Sequence, residues 1–144
     1  MSSSYFYVYK LDYVMVEFVQ FQRVLIKGGI FSLGAISDDH QWIFLPLEDM
    51  VEIYNFNGSQ YILNQTINFS LPGTIKVTSD SQYFAFTSSS NYYVYKYQAD
   101  SYTLFDSKLT SLSNPNKVAL TNEFLVIGKT NTYAEIFRNT GSSF

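Results

Sequence analysis

A period of about 41 residues predicts an all-β, propeller-like fold built from four-stranded antiparallel blades. Residues 36–44 read ISDDHQWIF, and residues 77–85 read VTSDSQYFA. A shortened echo, VALTNEFLV, follows at 118–126. Aromatic residues make up 19% of the chain, and Tyr and Phe, which supply nearly all of them, suit half-buried strands.

Each repeat divides into four predicted strands, a to d. Strand a ends at Ile36, Val77 and Val118. Strand b, at 42–45, 83–87 and 124–127, is apolar on both faces, as in a strand that is covered on both sides. Strand c reads IYN at 53–55, VYK at 94–96 and IFR at 136–138. Strand d opens with YIL at 61–63 and YTL at 102–104, and then becomes polar, as suits an outer edge.

The amino-terminal segment belongs to the same series. Residues 2–10 read SSSYFYVYK and match SSSNYYVYK at 88–96, so the first predicted strand is a strand c. Tyr13-Val14-Met15 then matches the openings of strand d. The prediction is one repeat domain over 1–144, with about three to three and a half blades. It consists of a partial blade at 1–25 (strands c and d), blades at 29–70 and 72–112, and a partial blade at 115–144 (strands a, b and c).

The a–b hairpins resemble the WD-repeat and related Asp-containing propeller repeats. In those families a Ser-x-Asp-x-x turn leads into an aromatic, apolar strand b, as in 36–44 and 77–86. His40 and Ser81 stand where the turn glycine is usual, and the Gly-His and Trp-Asp dipeptides of standard WD repeats are absent. The resemblance implies a propeller fold, and we expect a non-enzymatic role in protein interaction or assembly.

Propellers carry four to eight blades, so this chain would leave a bare face at each end. A bare face of about 500 Å² would cost about 12 kcal/mol, as much as the whole stability of a domain. We therefore expect the chain to be part of a longer protein, or to associate. Association includes two copies that complete a ring of about seven blades, in which one duplicated strand c is displaced. An open β-solenoid or an irregular sandwich is the remaining alternative.

Charge and composition exclude several classes of function. The net charge is −3 and the few Lys and Arg residues are scattered, which argues against a nucleic-acid partner. The chain has no cysteine, and the Asp38-Asp39-His40 cluster is interpreted as a turn because Ser81 replaces the histidine in the next repeat. We predict no catalytic residue, cofactor or metal. The apolar run 13–21 is too short to span a bilayer and no signal peptide is seen, so we expect no membrane insertion and a cytoplasmic location.

The candidate functional residues are mostly aromatic. Strand alternation sends the tyrosines of strand c to both faces, and exposed tyrosines favour protein contacts. The expected partners are other protein chains or further blades of the same protein. The alternative is a fragment of a ligand-binding or hydrolytic propeller whose site lies on blades absent from this chain. The predicted interaction residues are Tyr5, Tyr7, Tyr92, Tyr93, Trp42 and His40.

Overall fold

The structure is a computed structural model that describes residues 4–26, 28–30, 32–112, 115–128 and 134–144. These residues form thirteen strands in four antiparallel sheets. Sheet 1 contains β1 (Ser4–Asp12) and β2 (Glu17–Ile26). Sheet 2 contains β3 (Ala35–Ile36), β4 (Trp42–Pro46), β5 (Met50–Phe56) and β6 (Tyr61–Asn68). Sheet 3 contains β7 (Lys76–Val77), β8 (Tyr83–Ser88), β9 (Asn91–Gln98) and β10 (Ser101–Leu109). Sheet 4 contains β11 (Lys117–Leu120), β12 (Phe124–Gly128) and β13 (Ala134–Arg138).

The inner strands are buried on both faces. All five residues of β4 are buried, as are the first five residues of β8, whereas most residues of the outer strands β6 and β10 are not. An unbroken apolar run is therefore needed in the second strand of each sheet. Polar residues are more frequent in the fourth strand, at the rim.

Three apolar clusters fill the spaces between consecutive sheets. The cluster between sheets 2 and 3 is rich in rings: Phe84 lies 4.8 Å from Phe44 and 5.0 Å from Tyr95, measured between ring centroids. A second cluster joins sheets 3 and 4, and a third joins sheets 1 and 2. The predicted fold class is thus confirmed: the described chain is an all-β partial propeller whose sheets are stacked in sequence order.

The outermost strand of sheets 1, 2 and 3 carries a β-bulge. The pairing shifts by one residue at Phe21 between β1 and β2, at Asn64 between β5 and β6, and at Phe105 between β9 and β10. A bulge re-aims the side chain that follows it. The residues that follow are Gln22, Gln65 and Asp106.

These re-aimed side chains bridge to the next sheet. The Gln65 amide donates to the Tyr102 carbonyl at 2.8 Å and accepts the Tyr102 N–H at 2.8 Å. Gln22 makes the same pair of bonds with Tyr61, at 2.8 and 2.7 Å. Each bridge therefore fixes the first residues of the next outer strand.

An aromatic contact completes the bridge between sheets 2 and 3, and a similar contact is made between sheets 3 and 4. The Tyr102 ring meets Trp42 edge-on, at 5.5 Å and 86°. At the following interface the Phe144 ring meets Tyr83 at 6.0 Å and 87°, and the Phe144 N–H donates to Asp106 Oδ2 at 2.9 Å. We call this unit the aromatic joint: a second-strand aromatic and a fourth-strand polar side chain together hold one aromatic residue of the next sheet. Phe144 thus occupies the repeat position of Tyr102.

Two of the predicted strand boundaries are wrong. Tyr13, Val14 and Met15 do not open a strand, because the Asp12 carboxylate accepts the Val14 and Met15 N–H groups and holds a turn. The outer strand begins at Glu17 instead, and Phe18, four residues before Gln22, has the position of Tyr61 and Tyr102.

The second wrong boundary is the end of the first strand in sheet 4. Leu120 rather than Val118 is the counterpart of Ile36, because Ala119 pairs with Val126 as Ala35 pairs with Phe44. The turn that follows, 121–123, is two residues shorter than the turn 37–41.

No helix in the described ranges is long and apolar enough to cross a membrane.

Replacing Gln65 by leucine should lower the free energy of unfolding by about 1–3 kcal/mol. The N–H and carbonyl of Tyr102, a residue that is 1% exposed, would lose their partners. Urea unfolding measures the change. Gln98→Leu, at an exposed position, is the matched control and should change stability little. Equal stability of Gln65→Leu and the parent chain would contradict a structural role for the bridge.

Candidate interaction surface

One face of sheet 1 is aromatic and exposed. Tyr5, Tyr7 and Tyr9 alternate along β1 and are 40%, 47% and 55% exposed. The opposite face packs on sheet 2, where Phe6 lies 5.1 Å from Tyr54 between ring centroids. Sheet 1 is therefore packed on the face towards sheet 2, and its other face is exposed.

The repeat shows that these tyrosines have the position of core residues. Tyr7 and Tyr9 correspond in register to Tyr93 and Tyr95 of sheet 3, which pack towards sheet 2. Tyr93 lies 4.3 Å from Phe69 between ring centroids. No sheet covers the equivalent face of sheet 1 within the described part of the chain.

The inner edge of β1 is unpaired in the described structure. The corresponding strands β5 and β9 pair on both sides, with β4 and β6 and with β8 and β10, whereas β1 pairs with β2 alone. Such an edge presents a row of free N–H and C=O groups. It can accept an added strand by main-chain hydrogen bonding.

A gap between sheets 1 and 2 adjoins this edge. It has a volume of about 600 Å³, and Val8, Tyr9, Ile36, His40 and Tyr61 are among its lining residues. Ile36 is 49% exposed because sheet 1 has no inner strands to cover it among the residues described. We call the unpaired edge of β1, the face of Tyr5, Tyr7 and Tyr9, and this gap the open end.

The structure brings some of the predicted interaction residues together and separates others. Tyr5 and Tyr7 lie on the open end, and His40 is exposed at the gap. Tyr93 is half-buried between sheets 2 and 3. Whether any of them binds a partner stays a prediction.

Trp42 and Tyr92 need correction as surface residues. Trp42 is 8% exposed and packs between sheets 2 and 3, while Tyr92 is 0% exposed between sheets 3 and 4. The Tyr92 hydroxyl donates to Asp106 at 2.9 Å. Burial raises the pKa of Tyr92, and the neighbouring Asp106 carboxylate raises it further.

The interaction residues predicted from the sequence did not include Tyr9, Phe18 and Ile36. Tyr9 follows Tyr7 in the same alternation, so the sequence did contain a signal for it. Phe18 is 71% exposed. Its equivalence to Tyr61 and Tyr102 was not predicted, because the outer strand was expected to open at Tyr13. Ile36 was predicted only as the end of a first strand, and nothing in the sequence indicated that a two-stranded sheet 1 would leave it exposed.

The His40 turn has the geometry that its repeat counterpart predicts. His40 and Ser81 have positive φ angles of 59° and 61°. Their N–H groups donate to the carbonyls of Ser37 and Thr78, each at 2.9 Å. The turn therefore demands a left-handed residue, which supports the structural interpretation of His40.

An aspartate organises each turn. Asp39 Oδ1 accepts the Ser37 hydroxyl at 2.5 Å and the Gln41 N–H at 2.9 Å. Burial alone would raise the pKa of Asp39, but these hydrogen bonds outweigh it and hold the pKa below its ordinary value. Asp80 is held in the same way by Thr78 and Gln82, and its pKa is lowered for the same reasons.

The residues that the structure describes contain no group of three or more His, Cys, Asp or Glu side chains that could hold a metal ion.

Comparisons with known proteins show the fold and no family. No protein-family model matches the chain, and no curated protein matches it. Among solved structures, a Lactobacillus plantarum protein is 15% identical with a TM-score of 0.77, over 96% of this chain and 46% of its own. A candidate 6-phosphogluconolactonase from Bacteroides fragilis is 16% identical with a TM-score of 0.63, over 77% of this chain and 35% of its own. Hsv2 of Kluyveromyces lactis is 16% identical with a TM-score of 0.58, over 78% of this chain and 33% of its own.

At these identities the likeness concerns the fold alone. It supports a propeller-like architecture for the stacked sheets. The chain spans less than half the length of these solved structures.

The turn aspartates should make stability depend on pH in acid. Because the pKa of Asp39 and of Asp80 lies below the ordinary 3.8, their ionised forms stabilise the fold above that pH. This contribution is lost as the pH falls through the lowered values. Urea unfolding between pH 5 and about 2 should show a shallower loss for the double variant Asp39→Asn/Asp80→Asn. Asp38→Asn is the control, and an unchanged pH profile in the double variant would refute the assignment.

Replacing His40 by glycine should stabilise the protein by up to about 1 kcal/mol, because glycine adopts positive φ without a Cβ penalty. His40→Val should destabilise it, since a β-branched residue fits this conformation poorly. Thermal unfolding of the two variants measures both changes. A glycine variant less stable than the valine variant would contradict the assignment of a left-handed backbone conformation to residue 40.

Proposed function

We propose that this chain is a non-enzymatic protein-interaction and assembly module, and that its open end takes up β-strands from further polypeptide. The observation that carries this proposal is the inner edge of β1, which is unpaired in the described structure although its counterparts in sheets 2 and 3 are paired on both sides. Main-chain hydrogen bonding to such an edge gives affinity, and side-chain pockets along it give specificity.

The exposed surface next to this edge suits a protein partner. Tyrosine offers a large, rigid contact area at a low cost in conformational entropy, and such residues are enriched at interfaces. The Arg23 guanidinium lies 4.7 Å from the centre of the Tyr5 ring, a contact that strengthens when water is excluded. The open end is therefore apolar with a polar margin.

The repeat specifies the kind of strand that would bind. In sheets 2 and 3, the strand beside β5 or β9 is an apolar run that opens with Trp42 or Tyr83. The partner of β1 would by the same rule be a two-stranded hairpin whose second strand is apolar on both faces.

We further propose that the repeats are degenerate WD-type units. The support is the turn in which Asp39 or Asp80 binds the hydroxyl of Ser37 or Thr78 ahead of an aromatic residue. A cytoplasmic location and the absence of a nucleic-acid partner stay predictions.

A hairpin peptide tests this function. A fluorescein-labelled peptide of residues 32–47, which carries the sequences of β3 and β4, should bind the protein with saturable fluorescence anisotropy, and a scrambled peptide should not. Ile36→Asp in the protein should weaken binding at least about tenfold, because the gap would then hold a charge beside apolar side chains. Leu109→Asp, at a site that is 75% exposed on β10, is the matched control.

Absence of binding to the protein at millimolar peptide concentration would contradict the proposed function. So would equal binding to the Ile36→Asp variant, because the peptide would then occupy another surface.

A further inference from the structure

We propose that the occupant of the open end is sheet 4 of a second copy of this chain. β11 and β12 of one copy would lie beside β1 and β2 of the other, and the four strands would form one complete sheet. This inference rests on the proposed function, because it names the polypeptide that the open end takes up.

The two ends of the chain hold complementary halves of an aromatic joint. Tyr61 has its polar partner, Gln22, but sheet 1 supplies no second-strand aromatic among the described residues. Phe124 is the second-strand aromatic of sheet 4 and is 40% exposed. Pairing β12 with β1 of another copy would place Phe124 against Tyr61, as Trp42 lies against Tyr102.

A second match involves Phe18 and Phe144. Phe18 has the repeat position of Tyr102 but is 71% exposed. Phe144 fills this position on sheet 3, against Tyr83 and Asp106. In the paired copies, Phe18 of one chain would replace Phe144 of the other.

Position 18 is a phenylalanine where the equivalent positions 61 and 102 are tyrosines, and this difference supports the exchange. The Tyr61 and Tyr102 hydroxyls donate to the carbonyls of His40 and Ser81, both at 2.7 Å, in turns with a left-handed residue. The turn of sheet 4, 121–123, is two residues shorter and has no residue with positive φ. A phenylalanine therefore suits sheet 4, where the carbonyl that a tyrosine would need has no counterpart.

The exchanged strands also match. β1 and β13 have the same repeat position, so Val8 would replace Ile136 opposite Val126. Lys10 would replace Arg138 opposite Phe124, as Lys96 lies opposite Tyr83 with its Nζ 5.5 Å from the ring centre.

The exchange adds contacts that one copy lacks. β13 is an edge strand paired only with β12, and Ile136 on it is 69% exposed. When β1 replaces β13, β2 enters as the fourth strand of the shared sheet. Tyr9 would then take the place of Phe137 against Tyr92, where the two ring centroids lie 4.8 Å apart. Ile36 would be covered by β11 and β12.

Counting strands predicts a closed ring. In two paired copies, sheets 2 and 3 of each copy give four sheets. The two shared sheets bring the total to about six, within the range of known propellers. The sequence-based expectation for two copies is a ring of about seven blades, whereas this pairing would give about six. A head-to-tail contact of this kind avoids open filaments only when the ring closes.

Two serine variants of the full-length chain test the inference by shifts in opposite directions. Phe18→Ser should raise the dissociation constant of the dimer by about 100-fold or more, since two buried rings are lost per dimer. Phe144→Ser should lower it, because it weakens the segment that competes for the same position. Sedimentation velocity across a range of concentrations measures both. Val14→Ser, in the turn at a site that is 92% exposed, is the control.

A disulfide test does not depend on the stability of these variants. In the double variant Val8→Cys/Val126→Cys, mild oxidation should yield covalent dimers, since the two positions face each other only between copies. Tyr7→Cys/Val126→Cys places one cysteine out of register and on the other face of the strand, and should yield far fewer.

The inference would be overturned by a chain that remains a monomer at about 100 µM in all variants. It would also be overturned by association that ignores Phe18, or by equal cross-linking of the two cysteine pairs. If the peptide of residues 32–47 binds while any of these results is found, the open end takes up strands from a different polypeptide. If the peptide of residues 32–47 also fails to bind, the proposed function itself is contradicted.

Discussion

Each sheet of this protein has two apolar faces, and covering both of them is the constraint on which the rest of the structure depends. The five buried residues of β4 contact sheet 1 through Ile43 and Leu45 and sheet 3 through Trp42 and Phe44. Burial of an aromatic side chain contributes about 1.5–3 kcal/mol, so a sheet left alone would forfeit most of its stabilisation. Stability therefore resides in the interfaces between repeats, as expected for a repeat protein.

Apolar packing alone does not fix how one sheet sits on the next. The aromatic joint supplies this specificity, because Gln65 binds the backbone of Tyr102 through both ends of its amide while Trp42 contacts the ring. A half-buried amide whose two hydrogen-bonding groups are both satisfied tolerates little displacement. Asp106 and Tyr83 hold Phe144 in a similar way, and Gln22 supplies the polar half of the joint for Tyr61.

The period of the sequence was sufficient to predict the fold class, the second strands and the aspartate turns. It was insufficient where the backbone differs between repeats although the residue types are alike. Val118 and Leu120 are both aliphatic and two residues apart, so either could end the strand, and only the pairing of Ala119 with Val126 distinguishes them. A tyrosine at position 13 resembles a strand opening, yet the Asp12 side chain holds a turn there.

The candidate surface was less predictable than the fold. Strands that are apolar on both faces do not reveal which aromatic is covered, so Trp42 and Tyr92 were grouped with Tyr5 and Tyr7 although only the last two are exposed. The bridge of Gln65 depends on a bulge at Asn64, which is a feature of backbone register. The central claim is that the aromatic joint holds sheet 2 to sheet 3 and sheet 3 to sheet 4, and Trp42, the single tryptophan of the chain, reports on the first of these joints directly. Nuclear Overhauser contacts from the Trp42 indole to the rings of both Tyr97 and Tyr102 are expected, since these rings lie 5.2 and 5.5 Å away. An indole with contacts only to residues of its own sheet would contradict this account of the fold.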